Sequence, residues 1–414
     1  MSDFLADFDA MSRFGATEGG GVERQAGSAA DGQTRDWFRI WLTENGFHCR
    51  VDAVGNLFGS LEWIEGAPHV FVGSHLDSQP KAGRFDGAYG VLAGAHAAAV
   101  VAERVAAGRI TPSFNLTVVD WFNEEGCRFS PSLMGSGVFT GKFAAGEVLD
   151  AVDSDGRTVR GALRDIGYLG SDEPPECSAY AEIHIEQGRV LEEEGISIGV
   201  VTANWAVRKY LVRVRGEQAH TGATLIEDRR DALLGAAQMI VAVREVASAF
   251  PSGAVLTSIG RLTVQPNSPV VVASDVVMSV DIRSREEAAL DKAHELFLQA
   301  KADIEALGEV SVDIESGSLR PSTSYHLAGI ELSESVAGGL GLSARRMLTR
   351  AGHDSINLKD LVPTVMLFVP SVGGISHAEN EYTEPEDLLA GLNMLTGVLE
   401  RLVVEGLSSE QEQS

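Results

Sequence analysis

The chain has 414 residues, 44% of them hydrophobic and 22% charged, which is more than one core comfortably serves and sets an expectation of two domains. Lys+Arg 33 against Asp+Glu 59 gives a formal net charge of −26 spread along the chain, and a field of that sign disfavours nucleic acid and anionic membranes as partners. No apolar run approaches the ~18 residues of a membrane span, and MSDFLADFDA at the start is acidic rather than signal-like, so the reading is of a soluble, cytoplasmic protein. Cys49, Cys127 and Cys177 are odd in number and far apart, which argues against a disulfide framework and against a cysteine zinc site.

Taken in chain order, TRDWFRIWLTENG (34–46) places Trp37, Ile40 and Trp41 at helical spacing and stops at Gly46. Two short apolar runs follow, HVFVGSH (69–75) and FNLTVVDWF (114–122). Between them GAYGVLAGAHAAAVVAERVAA (87–107) is too long for a strand and reads as a buried helix. Strand, helix and strand with that crossover predict a right-handed βαβ unit in a largely parallel sheet. From about 209 to 320 the pattern changes to β-α-β-β-α-β, the ferredoxin-like order. The chain then returns with VMLFVP (365–370) as a strand and 385–404 as an amphipathic helix, with Thr383 and Glu386 as a capping box around Pro385. The final SSEQEQS reads as a solvated tail. The expected fold is therefore α/β: a mostly parallel-sheet domain over 1–208 and 325–414, interrupted by an inserted ferredoxin-like α+β domain at 209–324.

The residues able to carry chemistry gather just after the α/β strands. His75 and Asp77 lie in GSHLDS, Asp86 in RFDGAYG, Glu124 and Glu125 in NEEG, His184 in AEIHIEQG, and His377 in GGISHAENEYT. Singly each has an ordinary explanation: an Asp before a helix caps it, and Glu-Glu after a strand is solvated surface. His48, His69, His96, His294 and His326 stand apart from such clusters. Delivered together to the carboxyl edge of one parallel sheet, the group suggests a single site, since that edge is where open α/β sheets bind. No cysteine joins it, so an implied metal has N/O ligands: zinc or manganese first, cobalt or nickel next.

In VDAVGNLFG (51–59), GSHLDSQPKAGRFDGAYGVLAG (73–94), NEEGCRF (123–129), HIEQGRVLE (184–192), GEQAHTGAT (216–224), AGHDS (351–355) and SHAENEYT (376–383), the chain resembles the amidase/carbamoylase branch of the M20 clan of dinuclear metallopeptidases. That branch includes N-carbamoyl-L-amino-acid hydrolases, β-ureidopropionases and allantoate amidohydrolases. The resemblance implies two divalent ions per subunit, one held by His75, Asp86 and His184, the other by Asp86, Glu125 and His377. Asp86 would bridge them, and Asp77 would orient His75. Glu124, beside a ligand but aimed elsewhere, fits the general base that takes a proton from water and returns it to the leaving nitrogen.

Further residues follow from the same resemblance. Gln187 would contact substrate, His220 would stabilise the oxyanion from the partner subunit's side of a homodimer, and Arg283 would fork onto a substrate carboxylate. Asn267 matches a substrate-side asparagine, His353 would line the pocket, and Arg229 with Asp231 would form a structural ion pair. One departure stands out. In PNSPVVVAS (266–274), Val270 occupies the place of a second asparagine, and Trp205 stands where the branch more often has glycine. The implied reaction is metal-dependent hydrolysis of a C–N amide bond in an N-carbamoyl amino acid bearing a free carboxylate. Hydrolysis of an N-acyl amino acid by the same residues is the alternative, and an inactive small-molecule binder a distant third.

Overall fold

The computed structural model describes residues 4–407, so the SSEQEQS tail lies outside the described residues. The chain divides into two compact units, one running to Thr202 and resuming at Tyr325, the other Ala203–Ser324. In chain order the strands are β1 (His48–Val51), β2 (Leu57–Leu61), β3 (His69–Ser74), β4 (Asn115–Asp120), β5 (Cys177–Ile185) and β6 (Ile198–Asn204). Then come β7 (Ala206–Arg215), β8 (Ala219–His220), β9 (Val255–Gln265), β10 (Val271–Val272), β11 (Asp275–Ser284) and β12 (Ser311–Arg320), and finally β13 (Ala344–Thr349) and β14 (Thr364–Val369).

The first unit is a mixed α/β structure on a large sheet in the order β1-β2-β4-β3-β5-β14-β6-β13. Its centre, β4-β3-β5-β14, is parallel, and β2 and β6 flank that centre antiparallel. The parallel strands are apolar on both faces because both faces are covered. Helix Ala88–Ala106 lies on one face, and its small residues permit the approach: a Cβ on Gly90 would come within 2.3 Å of the Ile183 carbonyl oxygen. On the other face, Phe58, Phe71, Trp121 and Tyr180 pack with Leu358 and Val362.

Two local expectations are corrected, and one further helix is present. An N-terminal helix, Phe4–Met11, buries Phe4, Phe8 and Met11 at helical spacing. The next helix begins at Ala29, ahead of residue 34, because Ser28 caps it by accepting from the Asp31 N–H. No capping box forms at the last helix, Pro385–Glu405. Glu384 is its N-cap, and the Thr383 hydroxyl donates instead to the Pro370 carbonyl at 2.9 Å.

In the second unit the β-α-β-β-α-β segment builds a four-stranded antiparallel sheet, order β12-β7-β11-β9, with helices Ala232–Ser248 and Glu287–Ala306. Burial alternates along β11, where Val276, Met278, Val280 and Ile282 enter a core with Met239, Val243, Leu290 and Phe297. The unit starts ahead of 209 because β7 extends back to Ala206. Among the described residues no helix is long and apolar enough to cross a membrane.

One buried ion network supports the edge that matters below. Arg35 is fully buried, with Nε 2.9 Å from Asp31 and Nη2 3.0 Å from Asp120, and it donates to the Gly55 carbonyl at 2.7 Å. Asp120 in turn accepts the Leu76 N–H at 2.9 Å, between His75 and Asp77. Removing one partner of such a network leaves buried charge uncompensated. Arg35→Met is therefore expected to cost about 3–5 kcal/mol, read as a lowered midpoint in denaturant unfolding; an unchanged midpoint would contradict the role given to this network.

Candidate metal centre

The four parallel strands end at one edge, and their registers level those ends: Ser74 pairs with Asp120, and Phe368 with His184. His75 and Asp77 leave β3 there. After β4 the chain turns at Asn123, a residue type that tolerates its left-handed φ of 53°, and the turn presents Glu124 and Glu125. His184 stands within β5, one residue before its end, and the loop after β14 brings His377. Asp86 precedes the helix Ala88–Ala106 without capping it, since the cap position is Gly87 at φ 65°.

Asp86 is the centre of the cluster. Its Oδ1 lies 3.0 Å from His184 Nε2 and 3.5 Å from His75 Nε2, and its Oδ2 lies 3.2 Å from His377 Nε2. Glu125 Oε2 is 3.4 Å from the same His377 nitrogen. Two overlapping sets could hold a metal ion: His75, Asp86 and His184, and Asp86, Glu125 and His377. Within each set the ligand atoms all lie within 4.8 Å of one another. The rings of the first set are oriented from behind, with His75 Nδ1 2.9 Å from the Asp77 carbonyl and His184 Nδ1 2.9 Å from the Ile185 carbonyl. An Nδ1–H donated to a carbonyl leaves the Nε2 lone pair facing inward, as a metal ligand requires.

Asp77 does more than orient His75. Its carboxylate is 3.6 Å from that ring but accepts the backbone N–H of Glu124 at 3.1 Å and of Glu125 at 3.4 Å. It therefore ties the loop after β3 to the loop after β4. Glu124 is buried, with Oε2 3.6 Å from His75 Nε2, and it belongs to neither three-residue set.

The electrostatics favour a cation. Burial, followed by the nearby Glu125, Asp354 and Asp77 carboxyls, pushes Glu124 well above the usual carboxylate range against the pull of His75. Burial and Asp86 likewise raise Glu125, and burial with Glu125 lifts Asp77 to about 7. Asp86 is held well below its ordinary value: burial opposes ionisation, but His184, His377 and His75 outweigh it. These acids are crowded out of water, and a divalent ion is the partner that lets several ionise together. Glu125 Oε1 is buried without a hydrogen-bond partner, which leaves it open to such an ion. The donors are nitrogen and oxygen only. The nearby Cys127 thiol contacts the Ser78 carbonyl at 3.5 Å, and burial pushes it up to about 12, so it stays protonated.

Three contributors, Gln79, Ser376 and Glu182, carried no signal in the sequence. Gln79 donates to Glu125 Oε2 at 2.8 Å, and Ser376 donates to Asp86 Oδ2 at 2.9 Å. Glu182, two residues before His184 on the same face of β5, accepts from Ser74 and from the Ser355 N–H. Gln187 turns its amide onto Asp86 Oδ2 at 2.8 Å and Ser376 at 3.1 Å, so in this structure it braces the shared carboxylate. His353 is buried with its ring 4.6 Å from that of His184.

His220, Asn267 and Arg283 belong to the second unit. His220 is exposed on the β8–β10 ribbon, where it pairs with Val271 and its Nδ1 accepts the Gly222 N–H at 3.0 Å. Asn267 is exposed, at φ 54°. Arg283 forks onto Asp281, at 2.6 Å through Nε and 3.0 Å through Nη2. Arg229 and Asp231 are structural but do not pair with each other. Arg229 donates to the Thr221 and Thr224 carbonyls, and Asp231 caps the helix Ala232–Ser248. Trp205 is 5% exposed.

A parallel sheet edge bearing two ligand sets that share one carboxylate is the architecture of a divalent-metal hydrolase. Comparison with known proteins agrees. The signature of Peptidase family M20/M25/M40 matches residues 71–401, and the chain belongs to that family. A Mycolicibacterium smegmatis protein whose name carries no substrate is 52% identical over 407 residues, 97% of this chain and 93% of its own. An N-carbamoyl-L-amino-acid amidohydrolase of Rhizobium meliloti is 36% identical over 390 residues, 93% of this chain and 92% of its own. The crystal structure of an amidase of the hydantoinase/carbamoylase family from Burkholderia vietnamiensis superposes with a TM-score of 0.92 at 34% identity, covering 98% of both chains.

If the sets bind ions, Mn2+ or Zn2+ at about 100 times its Kd should add about 2.7 kcal/mol to the unfolding free energy. The same titration of His184→Ala should show a smaller gain. Equal thermal shifts in the two proteins would remove His184 from the centre.

Proposed function

We propose that the protein is an amidohydrolase acting on C–N bonds other than peptide bonds, and that it hydrolyses N-carbamoyl amino acids with a free carboxylate to ammonia, carbon dioxide and the amino acid. The observation that carries this reading is Glu124: a buried carboxylate facing His75, outside both ligand sets, and fixed through its backbone N–H by Asp77. Two divalent ions, zinc or manganese, would be held by His75, Asp86 and His184 and by Asp86, Glu125 and His377. When bound they supply Lewis-acid polarisation of the scissile carbonyl and lower the pKa of water.

The chain's own residues account for the rest. Glu124 takes the proton of the attacking water and delivers it to the departing nitrogen, which leaves as ammonia or as the amino group. Asp77 keeps Glu124 and Glu125 aimed apart. His220 donates to the oxyanion that develops on the attacked carbonyl, supplied by the partner in a homodimer built through the second unit. Arg283 receives the substrate carboxylate by exchanging it for Asp281, fork for fork. Asn267 and His353 line the substrate side. The three unpaired cysteines suit a reducing cytoplasm.

An N-acyl amino acid is the second reading, and Val270 favours it. Val270 is 60% exposed and precedes Val271, the cross-strand partner of His220, while Leu225 and Ile226 in the His220 loop are 61% and 74% exposed. Apolar surface beside the oxyanion donor suits an acyl chain better than a carbamoyl group.

Glu124→Gln should keep the metal content of the wild type and lose about 10²–10⁴-fold in kcat. A metal-replete variant with wild-type kcat would defeat the assignment. The substrate class is decided by giving the Mn2+- or Zn2+-loaded enzyme paired N-carbamoyl and N-acyl amino acids and quantifying ammonia and free amino acid separately. Equal amounts from the carbamoyl set support the first reading, and amino acid without ammonia from the acyl set supports the second. For Arg283, the free acid should be preferred over its amidated form, and Arg283→Lys should erode that preference; equal kcat/KM for acid and amide in the wild type would discard the role.

A further inference from the structure

Glu381 is a buried acid, 4% exposed, that neither the ligand sets nor the reaction above employs. Its Oε1 accepts two backbone donors from a distant part of the chain, the Phe85 N–H at 2.9 Å and the Asp86 N–H at 3.1 Å. Its own N–H returns to the Ala378 carbonyl at 3.0 Å, closing the turn that directly follows His377, itself at a φ of 56°. The Phe85 and Tyr382 rings meet edge to face at 5.9 Å beside this junction. We infer that Glu381 is a positioning residue that locks the Asp86 loop to the His377 loop, and so assembles the ligand set Asp86, Glu125 and His377.

The packing around Glu381 is shaped for that lock. A Cβ on Gly83 would fall 2.1 Å from the Glu381 carboxyl carbon, so only glycine leaves room for the side chain to reach Phe85 and Asp86. A Cβ on Gly21 would meet the Ala82 carbonyl at 2.1 Å and Glu379 Cα at 2.8 Å, and Val22 bridges to Ala82, so a third loop braces the other two. The need is specific to this ligand set. His75 and His184 are buried at strand ends, whereas the His377 side chain is 48% exposed on a loop and would lose backbone and rotamer freedom on binding an ion. Two hydrogen bonds to a buried carboxylate remove that freedom in advance. The useful part of Glu381 is the acceptor oxygen, since both inter-loop bonds end on Oε1, and a glutamine carbonyl has the same two lone pairs.

This inference rests on the divalent-metal reading, and the test separates the two. Mn2+ is titrated calorimetrically into the apo full-length protein, with metal content measured after dialysis at fixed free Mn2+. Wild type is expected to take two ions. Glu381→Ala should retain one and bind the other about 10–100-fold more weakly, while Glu381→Gln stays close to wild type, a rescue that a role for the charge would not give. Gly83→Ala, whose backbone is outside the left-handed region, should mimic Glu381→Ala, because the added Cβ would fall 2.1 Å from the Glu381 carboxyl carbon and 2.3 Å from its Cβ. Should Glu381→Ala fail to fold, the Gly83→Ala and Glu381→Gln titrations decide alone. Wild type that binds no Mn2+ sinks the metal reading; wild-type affinity at both sites in Gly83→Ala, and in Glu381→Ala where it folds, sinks the lock and leaves that reading standing.

Discussion

The controlling constraint is the concentration of acids out of water at one sheet edge. Asp77, Asp86, Glu124 and Glu125 all come within hydrogen-bonding or ion-pair reach of one another's loops, and each is nearly inaccessible. Ionising even two such groups side by side is costly in a low dielectric unless donors or cations face them. The chain meets this demand unequally. Asp86 is surrounded by three imidazoles and two neutral donors and ionises readily, whereas Glu124 and Glu125 are left with raised proton affinity. That inequality sets the proposed shared ligand apart from the proposed base. It also explains the rigidity behind the site, since crowded acids stay where they are only if the backbone beneath them cannot relax.

Much of that backbone could be anticipated. Strand–helix–strand spacing places His75, Glu125 and His377 just past parallel strand ends because period and loop length are local properties of the sequence. The antiparallel flanks of the sheet were not legible, because β2 and β6 pair with β4 and β14, strands distant in the chain, and β1 is only four residues long. Glu381 sits close to His377 in SHAENEYT, but its partners, Phe85 and Asp86, lie 296 and 295 residues away along the chain, beyond any local signal. Thr383 and Glu386 had the spacing of a capping box, and a tertiary acceptor, the Pro370 carbonyl, won the hydroxyl. The Asp281–Arg283 fork had a local signature that was available: residues two apart on a strand share a face.

That fork bears on recognition in the second unit. A guanidinium already satisfied by a carboxylate gains little net energy by accepting another, since one fork replaces an equivalent one. With a net charge of −26, the protein's long-range field also opposes an anionic substrate. In the role proposed for Arg283, any gain would therefore come from the bidentate geometry of the exchange rather than from affinity, which is the use to which a planar group is suited.

In the proposed mechanism, the separation of Glu124 from Glu125 shows how little sequence distance a catalytic division of labour would require. Both backbone N–H groups are held by the two oxygens of Asp77, and the turn is bounded by left-handed residues, Asn123 at 53° and Gly126 at 65°. Pinned this way, consecutive side chains cannot interchange: one faces His75, the other His377. A carboxylate free to swing would be drawn to whichever cation lay nearest and would lose its use as a base. In the proposed mechanism Asp77 would prevent this through its hydrogen bonds to the two backbone N–H groups, so that the residue behind His75 also holds apart the proposed ligand and the proposed base.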